Sequence, residues 1–358
     1  MDLSADIELD LGFGEFLDDV AGGALGATGA GTGASKMPVI PKGVTAAETP
    51  VIAGTVGSLL GKTAAAWRAP EFGLSAADRL VVTFSDGSAA FVKGATTEET
   101  AGWLRNEHRI LDHLRGTSLT PEVLGWQDDG TGQPLLVTED LSAAYWPAAG
   151  AENPGGGTST VWRPGDIDVL RRTLDRLRRA PLPAELPRTT SWPGPQWPRV
   201  IELADRLVDV GVVIPGWLEA NAETLTAVDA EADTALELGA YLVHGDVRSD
   251  NMCILSNAGE REVRLVDWSH AGAGHELHDL VQLLPTLHLE GGPPPWQVCT
   301  EPAPLIARLA GPSLQRACVS EQPDWLRRVF IDLASINLKW LAAALGLPLP
   351  VPDQHTPA

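Results

Sequence analysis

The polar residues between positions 244 and 251, HGDVRSDN, have types and spacings that could transfer a phosphoryl group. Asp246 precedes Asn251 by five residues, and a further acid, Asp267, follows sixteen residues after Asn251. Phosphoryl transfer requires a carboxylate that orients the acceptor hydroxyl and oxygen ligands that hold Mg²⁺. The three side chains are therefore candidates for a catalytic and metal-binding group, provided that the fold brings them together.

A β-hairpin between Asn251 and Asp267 would bring them together. The apolar runs MCIL (252–255) and VRLV (263–266) predict its two strands, with SNAGERE (256–262) as the turn. Because a hairpin returns the chain to its starting edge, Asp267 is expected beside Asn251 as a second hard oxygen ligand for Mg²⁺.

A cation for the donor phosphates is available further upstream. Lys93 ends a predicted strand in AFVKG (90–94), and Glu107 lies fourteen residues further along in a predicted helix. A lysine held by such a glutamate would contact the α- and β-phosphates of ATP.

The elements around Lys93 predict a small unit of strands and one helix. LVVTFSDGSAAFVKG (80–94) predicts a hairpin about the turn Ser85-Asp86-Gly87. Residues 99–116 have a helical apolar stripe, and residues 121–142 add two strands around a D-D-G-T-G turn.

Beyond a loop rich in proline and glycine at residues 147–165, helices dominate. The clearest are predicted at residues 167–180 and 325–346. The first contains five arginines, which are interpreted as a solvated face or, alternatively, as contacts to the acceptor or to phosphate.

The sequence resembles a known family in these residues. Asp246 and Asn251 have the separation of the kinase catalytic loop H-R-D-x-x-x-x-N. HGDVRSDN followed by LVDWSHAG (265–272) resembles the aminoglycoside phosphotransferase and choline-kinase-like family, where HGD replaces HRD and a D-x-x motif replaces DFG. The resemblance covers roughly residues 70–345. It implies an α+β, two-lobed protein-kinase-like fold with a small mixed β-sheet N-lobe and a larger, mainly helical C-lobe.

The resemblance also implies roles for individual residues of the catalytic loop. Asp246 would be the catalytic base, and His244 would brace the loop as part of the catalytic group. Asn251 and Asp267 would bind Mg²⁺. Asp279, in HELHDLVQLL, matches a structural aspartate at a helix start.

For the nucleotide, the resemblance implies an ATP site on the first lobe. Lys93 with Glu107 would anchor ATP. The segment LLVTEDLS (135–142) would be the hinge, with the backbone near Glu139 and Leu141 contacting adenine.

No G-x-G-x-x-G motif covers the phosphates. FGLSAADR (72–79) stands at that place with a single glycine, and Ser75 within it is the candidate cofactor contact.

The first residues of the chain differ from the rest. Residues 1–36 contain seven acids and no base before Lys36, and they run into a Gly/Ala-rich linker. The expected organisation is an acidic leader-like tail and linker at 1–36, an N-terminal nucleotide-binding lobe at 37–141, and a C-terminal catalytic and acceptor-binding lobe at 142–358. The tail is interpreted either as a disordered segment or as a leader.

Composition narrows the classes of partner and compartment. The 47 acids against 26 lysines and arginines give a net charge of −21, which opposes binding to nucleic acid or to an anionic membrane. The three cysteines have no CxxC spacing, no signal peptide is visible and no apolar run reaches the length of a membrane span, so a cytoplasmic protein is expected.

Three functions remain open at this level. The first is an ATP-dependent O-phosphotransferase for a small hydroxylated acceptor, most simply an antibiotic-like molecule of the aminoglycoside type. The second is a Ser/Thr kinase for a ribosomally made precursor peptide, as in lanthipeptide-type dehydration, because residues 1–25 resemble a leader peptide. The third is a nucleotide-binding module without catalysis.

Other patterns in the sequence are weaker. GTVGSLLGKT (54–63) lacks the glycine spacing of a Walker A loop, and Thr63 is expected to lead into an Ala-rich helix. Three histidines could bind zinc but are better explained as structural or acceptor-site residues; they are His270, His275 and His278. Three tryptophans could pack in the core or contact the acceptor; they are Trp192, Trp197 and Trp217.

Overall fold

The computed structural model describes nine stretches of the chain, which form a small and a large lobe. They are residues 49–70, 77–130, 132–147, 162–184, 186, 194–237, 239–257, 259–322 and 324–351. Residues 1–36, Ser75 and Trp192 lie outside the described residues.

The small lobe is a five-stranded sheet with one helix on each face. Its elements are α1 (Thr49–Leu60), β1 (Ala64–Arg68), β2 (Asp78–Phe84), β3 (Ala89–Gly94), α2 (Glu98–His113), β4 (Val123–Gln127) and β5 (Leu135–Glu139). The predicted hairpin about Ser85-Asp86-Gly87 is confirmed as β2 and β3, and Gly87 has the positive φ of 83° that its turn requires.

The strands have the order β1-β2-β3-β5-β4, and each pairing is antiparallel. A mixed sheet was expected. The helix α2 does carry the chain from β3 to β4 in the same direction, but β5 inserts between them and runs opposite to both. The sheet is therefore antiparallel although it contains a helical crossover.

The alternation of side chains along the strands gives the sheet two faces. Leu80 of β2 and Val92 of β3 pack beneath α1 in one buried cluster with Val56. The alternate residues of each strand point to the opposite face, where Leu136 of β5 packs with Leu104 of α2. This opposite face, called the inner face below, carries the predicted ATP-binding residue of β3.

The segment after α1 differs from its prediction. Thr63 does not lead into an Ala-rich helix, because Ala64–Arg68 forms β1 and pairs with β2, with Trp67 opposite Val82. Tertiary pairing here outweighs the helix preference of alanine. The segment GTVGSLLGKT runs from helix into strand, the reverse of a Walker A loop.

The helix α2 is fixed at its start by a reciprocal cap. Thr97 Oγ1 accepts from the Thr100 amide (3.1 Å), and Thr100 Oγ1 accepts from the Thr97 amide (2.9 Å). The buried stripe of the helix includes Leu104, Leu111 and one charged residue, Glu107. A buried carboxylate needs a partner, and the partner is described with the site.

The large lobe is mainly helical, with two short sheets near its junction with the small lobe. Its elements are α3 (Asp166–Arg178), α4 (Trp197–Glu202), α5 (Ala204–Asp209), α6 (Trp217–Glu237), β6 (Tyr241–Val243), β7 (Met252–Asn257), β8 (Glu260–Leu265), β9 (Gly272–Gly274), α7 (His278–Leu289), α8 (Pro295–Val298), α9 (Ala303–Ala317) and α10 (Asp324–Leu345). The predicted helices at 167–180 and 325–346 are confirmed as α3 and α10.

Two of the three tryptophans considered for the acceptor pocket belong to the core of the large lobe. The Trp197 indole is fully buried and its Nε1 donates to the Ala307 carbonyl (2.9 Å). Trp217 Nε1 donates to the Pro348 carbonyl (2.9 Å). Core packing therefore accounts for both residues.

The hairpin predicted between Asn251 and Asp267 is present as β7 and β8, with a shorter turn than expected. The pairing continues to Asn257 opposite Glu260, so most of SNAGERE lies in the strands. Backbone pairing does not require apolar side chains, and Gly259, with φ of 89°, allows a two-residue connection.

The segment after β5 is attached to this hairpin. Tyr145 and Ile254 exchange both backbone hydrogen bonds, 3.1 Å from the Tyr145 amide and 2.7 Å from the Ile254 amide. The chain leaving the small lobe is therefore anchored on the large lobe six residues after β5 ends at Glu139.

Among the described helices, none has the length and hydrophobicity of a membrane-spanning segment. The arginine-rich helix α3 carries most of its arginines on an exposed side, and Arg178 pairs with Glu276 (3.1 Å). The interpretation of this side as a solvated face fits these positions.

Candidate active site

The loop between β6 and β7 contains HGDVRSDN, and its backbone requires the glycine. Gly245 has φ of 81°, and a Cβ at this position would lie 2.4 Å from the His270 carbonyl oxygen. A side chain here would meet both backbone strain and a clash. The glycine therefore lets the loop approach the turn that follows Asp267.

Asp279, at the start of α7, holds this loop from below. Its two carboxylate oxygens accept hydrogen bonds from the His244 and Gly245 amides, each at 2.9 Å. Burial raises the pKa of Asp279 to about 6, although the two amides act against that rise. The structural role expected for Asp279 matches these contacts.

We expect Asp279 to make folding stability depend on pH. Because the folded protein binds this proton more tightly, the contribution of Asp279 is most favourable below about pH 4 and is lost as the pH rises through about 6. The Asp279→Asn variant lacks this dependence and loses one accepted hydrogen bond at every pH. Urea unfolding between about pH 4 and pH 7 should show the difference in stability, wild type minus variant, falling by up to about 3 kcal/mol. Two parallel stability curves would contradict the expectation.

His244 connects the loop to the strand that leads to Asp267. Its Nε2 lies 2.9 Å from the Val266 carbonyl and must carry the proton of that bond, while its Nδ1 accepts from the Asp246 amide (3.3 Å). Burial lowers the pKa of His244 to about 4, so the ring is neutral near pH 7. The ring also packs on Trp268, with centroids 4.6 Å apart. His244 thus joins the loop to the strand before Asp267, and its bracing role in catalysis stays a prediction.

Asp246 and Asn251 are bonded to each other within the loop. Asn251 Nδ2 donates to the Asp246 carbonyl (2.9 Å) and to its Oδ2 (2.8 Å). The Asn251 Oδ1 is thus the atom of this side chain that could ligate a metal. The Val266 amide donates to the Asn251 carbonyl (2.9 Å), so Asp267 follows directly beside Asn251, as predicted.

Lys93 lies where both lobes meet. Its Nζ is 3.0 and 2.9 Å from the two carboxylate oxygens of Glu107 and 2.9 Å from Asp267 Oδ1, although Asp267 is 174 residues away in the chain. Burial by itself would lower the pKa of Lys93, but the two carboxylates outweigh it and raise that pKa. The lysine is therefore a fixed positive charge between two acids.

The two acids respond differently to this environment. Burial raises the pKa of Glu107, with Lys93 only partly compensating. Burial also acts to raise the pKa of Asp267, but Lys93 and then Arg79 outweigh it and hold that pKa well below its ordinary value. Asp267 is therefore held firmly in its ionised form, as a metal ligand must be.

The backbone at Asp267 is held in an unusual conformation. Asp267 is the one non-glycine residue with positive φ in the described ranges, at φ of 64° and ψ of 65°. The helix α2 supports the turn that follows, because Asn106 Nδ2 donates to the carbonyls of Ser269 (2.9 Å) and Ala271 (3.0 Å). Strain of this kind persists where surrounding contacts fix it, and it often marks a functional position.

The donor set suits Mg²⁺ bound with a nucleotide. Asn251 Oδ1 and Asp267 supply two hard oxygens, and phosphates and water normally complete such a site. Over the described stretches, no three His, Cys, Asp or Glu side chains form a metal-binding group, which speaks against a zinc site at His270, His275 and His278. The residues therefore fit Mg²⁺ with ATP, and their role as its ligands stays a prediction.

The predicted hinge, residues 135–142, contains β5 and therefore borders the inner face of the sheet. Val81, Phe91 and Thr138 are cross-strand neighbours on that face, where they could line one end of a purine site. The Leu141 carbonyl already accepts from the Ala144 amide (2.9 Å) and from Trp146 Nε1 (3.0 Å), so adenine could use only the Leu141 amide.

The other predicted hinge residue is partly committed to the sheet. The Glu139 amide donates to the Glu122 carbonyl (2.9 Å), and its carboxylate accepts from the Glu122 amide (3.0 Å). The adenine contacts proposed for Glu139 and Leu141 stay predictions. The same holds for Ser75, which belongs to the segment between β1 and β2 but lies outside the described residues.

Two charged residues of the catalytic loop were not assigned roles from the sequence. Arg248 lies between Asp246 (3.4 Å) and Asp250 (3.2 Å) and is mostly buried. Burial acts to lower the pKa of Arg248, but Asp246 and Asp250 outweigh it and raise that pKa. The sequence does show that Arg248 follows Asp246 by two residues. A positively charged side chain so close to the proposed catalytic base is expected near the reacting phosphate.

The site combines the Lys93–Glu107 pair with the loop that carries Asp246 and Asn251 and with Asp267, which follows β8. These parts together define a kinase-like phosphotransferase. A sequence profile of the phosphotransferase enzyme family matches residues 67–328. That match spans most of the chain, which therefore belongs to this family and is a kinase that phosphorylates an alcohol group. No curated protein matches the sequence significantly.

Solved structures of similar shape include three phosphotransferases. A protein assigned as a fructosamine-3-kinase from Thermobifida fusca is 21% identical, with a TM-score of 0.45 over 80% of this chain and 98% of that one. A thermostable mutant of the aminoglycoside phosphotransferase APH(4)-Ia is 14% identical, with a TM-score of 0.48 over 82% and 98%. The macrolide 2′-phosphotransferase type I is 18% identical, with a TM-score of 0.43 over 89% and 100%.

Proposed function

We propose that this kinase transfers the γ-phosphate of ATP, bound with Mg²⁺, to a hydroxyl of a small, positively charged acceptor of the aminoglycoside type. The family supplies the reaction class. The acceptor is inferred from the charges next to Asp246.

The observation that carries the acceptor class is a local excess of carboxylates. Asp246 and Asp250 flank the single cation Arg248, and the Asp246 and Asp250 side chains are 17% and 28% exposed. A third carboxylate, Glu290, accepts hydrogen bonds from Ser249 of the same loop and from Trp162 Nε1. A binding site lined mainly by negative charges favours a cationic ligand.

In this proposal the tasks of the reaction are divided among the residues of the site. Asp246 accepts the proton of the acceptor hydroxyl as its oxygen attacks the γ-phosphorus, and Asn251 holds the Asp246 carboxylate in place. Lys93 stabilises charge on the donor phosphates. Mg²⁺, when bound at Asn251 and Asp267, would neutralise charge on the β- and γ-phosphates.

The test is ATP consumption by the full-length enzyme against three sets of acceptors. They are aminoglycosides, uncharged hydroxylated antibiotics, and Ser/Thr-containing precursor peptides. We expect turnover above background with a cationic aminoglycoside and the same turnover for a protein of residues 37–358. The Asp246→Asn variant measures the background of ATP hydrolysis.

Two outcomes would contradict the proposal. Turnover confined to uncharged acceptors would remove the charge argument. Turnover confined to precursor peptides, changed by deletion of residues 1–36, would replace the small molecule by a peptide acceptor.

A further inference from the structure

The segment that should cover the phosphates has an unusual composition. Glycine-rich loops bind phosphate through several backbone amides that approach it closely. The residues between β1 and β2 contain one glycine, Gly73, and the chain carries a net charge of −21. Besides Mg²⁺, side chains are then the natural source of the phosphate contacts that a glycine-rich loop would make.

Arg79, the second residue of β2, is placed to supply such charge. It is only 8% exposed, and it lies directly opposite Lys93 in the β2–β3 register. Directly opposed residues of an antiparallel pair share one face, with Cβ atoms about 5 Å apart. Because Leu80 and Val92 face α1, Arg79 and Lys93 face the inner side together.

Cationic and acidic side chains lie together at this position. Lys93 is bonded to Glu107 and Asp267, and Arg79 adds a second cation beside two carboxylates. Arg79 contributes to the lowered pKa of Asp267 and opposes the rise in the pKa of Lys93, so it is close enough to act on both.

The inner face also orders the ligand along the strands. The charged pair Arg79 and Lys93 lies two residues from the uncharged pair Val81 and Phe91. Val81 and Phe91 are nearer the hinge end, since Phe91 pairs with Thr138 just before the end of β5. A nucleotide with its base at the hinge end therefore directs its phosphates toward Arg79 and Lys93.

We infer that Arg79 is a second phosphate-binding residue of the nucleotide site and supplies, through its guanidinium, contacts that a glycine-rich loop would make. The planar guanidinium of arginine can donate two hydrogen bonds to phosphate oxygens in a fixed geometry, which a lysine ammonium does not provide. This inference rests on the proposed use of ATP at this cleft.

The test is equilibrium binding to the full-length protein, by calorimetry, of adenosine, AMP, ADP and ATP with Mg²⁺. For Arg79→Gln we expect unchanged affinity for adenosine and a roughly 10- to 100-fold weaker affinity for ADP and ATP. Arg79→Lys, which keeps the charge but has a shorter reach, should recover part of the loss and leave ATP binding several-fold weaker than in the wild type. The control variant is Arg105→Gln. Arg105 lies on α2 and pairs with Asp128 (2.8 Å), so its replacement should leave every affinity unchanged.

The outcomes separate a phosphate contact from a structural role. Equal loss of affinity for adenosine and ATP, or no loss for either, overturns the inference. If Arg79→Gln does not fold, Arg79→Lys decides the question, because its shorter reach should weaken ATP binding several-fold and leave adenosine unaffected. A wild-type protein that binds no nucleotide would refute the proposed function instead.

Discussion

Replacing Asp246 with asparagine should lower kcat by roughly 10²- to 10⁴-fold while the affinity for ATP stays near that of the wild type. Asparagine keeps an oxygen for the hydrogen bond from Asn251 Nδ2 but cannot take a proton from the acceptor. Asp246 is bonded to Asn251 and Arg248, whereas Lys93, the cation proposed for the donor phosphates, is bonded to Glu107 and Asp267. Steady-state kinetics at saturating acceptor, with ATP affinity from calorimetry, measures both quantities.

The control for this prediction is an aspartate with a similar ion pair outside the site. Asp112 lies on α2 and is exposed, and it pairs with Arg115 (2.7 Å). The Asp112→Asn variant should retain the wild-type kcat. If Asp246→Asn kept turnover within a few-fold of wild type, Asp246 would not be the catalytic base.

Replacing Lys93 with methionine should lower kcat/KM for ATP by roughly 10²- to 10³-fold, as loss of one preorganised charge does in other enzymes. It should also destabilise the fold by about 3–5 kcal/mol, because Glu107 and Asp267 would lose their shared buried cation. Kinetics and urea unfolding of the same preparation give the two numbers.

A double variant separates the two effects of Lys93. In Lys93→Met with Glu107→Gln, one uncompensated carboxylate is removed from the interior, so stability should recover in part. Activity should not recover, because the cation for the donor phosphates is still missing. Recovery of both would mean that Lys93 supports folding and not the reaction.

The parts of the fold that depend on local patterns could be predicted from the sequence. The β2–β3 hairpin follows from two apolar runs around a glycine turn, and α2 follows from its apolar stripe. The arrangement of Lys93, Glu107 and Asp267 could be anticipated only by assuming the two-lobed fold, because their contacts join distant segments. The structure places the carboxylates of Glu107 and Asp267 within hydrogen-bonding distance of the Lys93 ammonium.

Other features could not be predicted from the sequence, because they depend on strand register and on residues that are neighbours only in the folded protein. The strand β1 reads as helical because Ala64, Ala65 and Ala66 favour helices, and only the edge of β2 makes it a strand. Arg79 was not recognised because its significance comes from the residue opposite, Lys93, which a sequence shows only after the register is known. The antiparallel character of the sheet could not be predicted either, because it depends on the place of β5 between β3 and β4.

The attachment of Tyr145 to Ile254 limits how the two lobes can move. On one side the chain is fixed in the sheet up to Glu139, and on the other it is fixed to β7 from Tyr145. Residues 140–144 are then the part of the connecting chain that lies outside both anchored segments. If one lobe rotates about this five-residue link, which lies at the hinge end of the proposed ATP site, we expect the phosphate end, where Arg79 and Lys93 lie, to be displaced farther than the base.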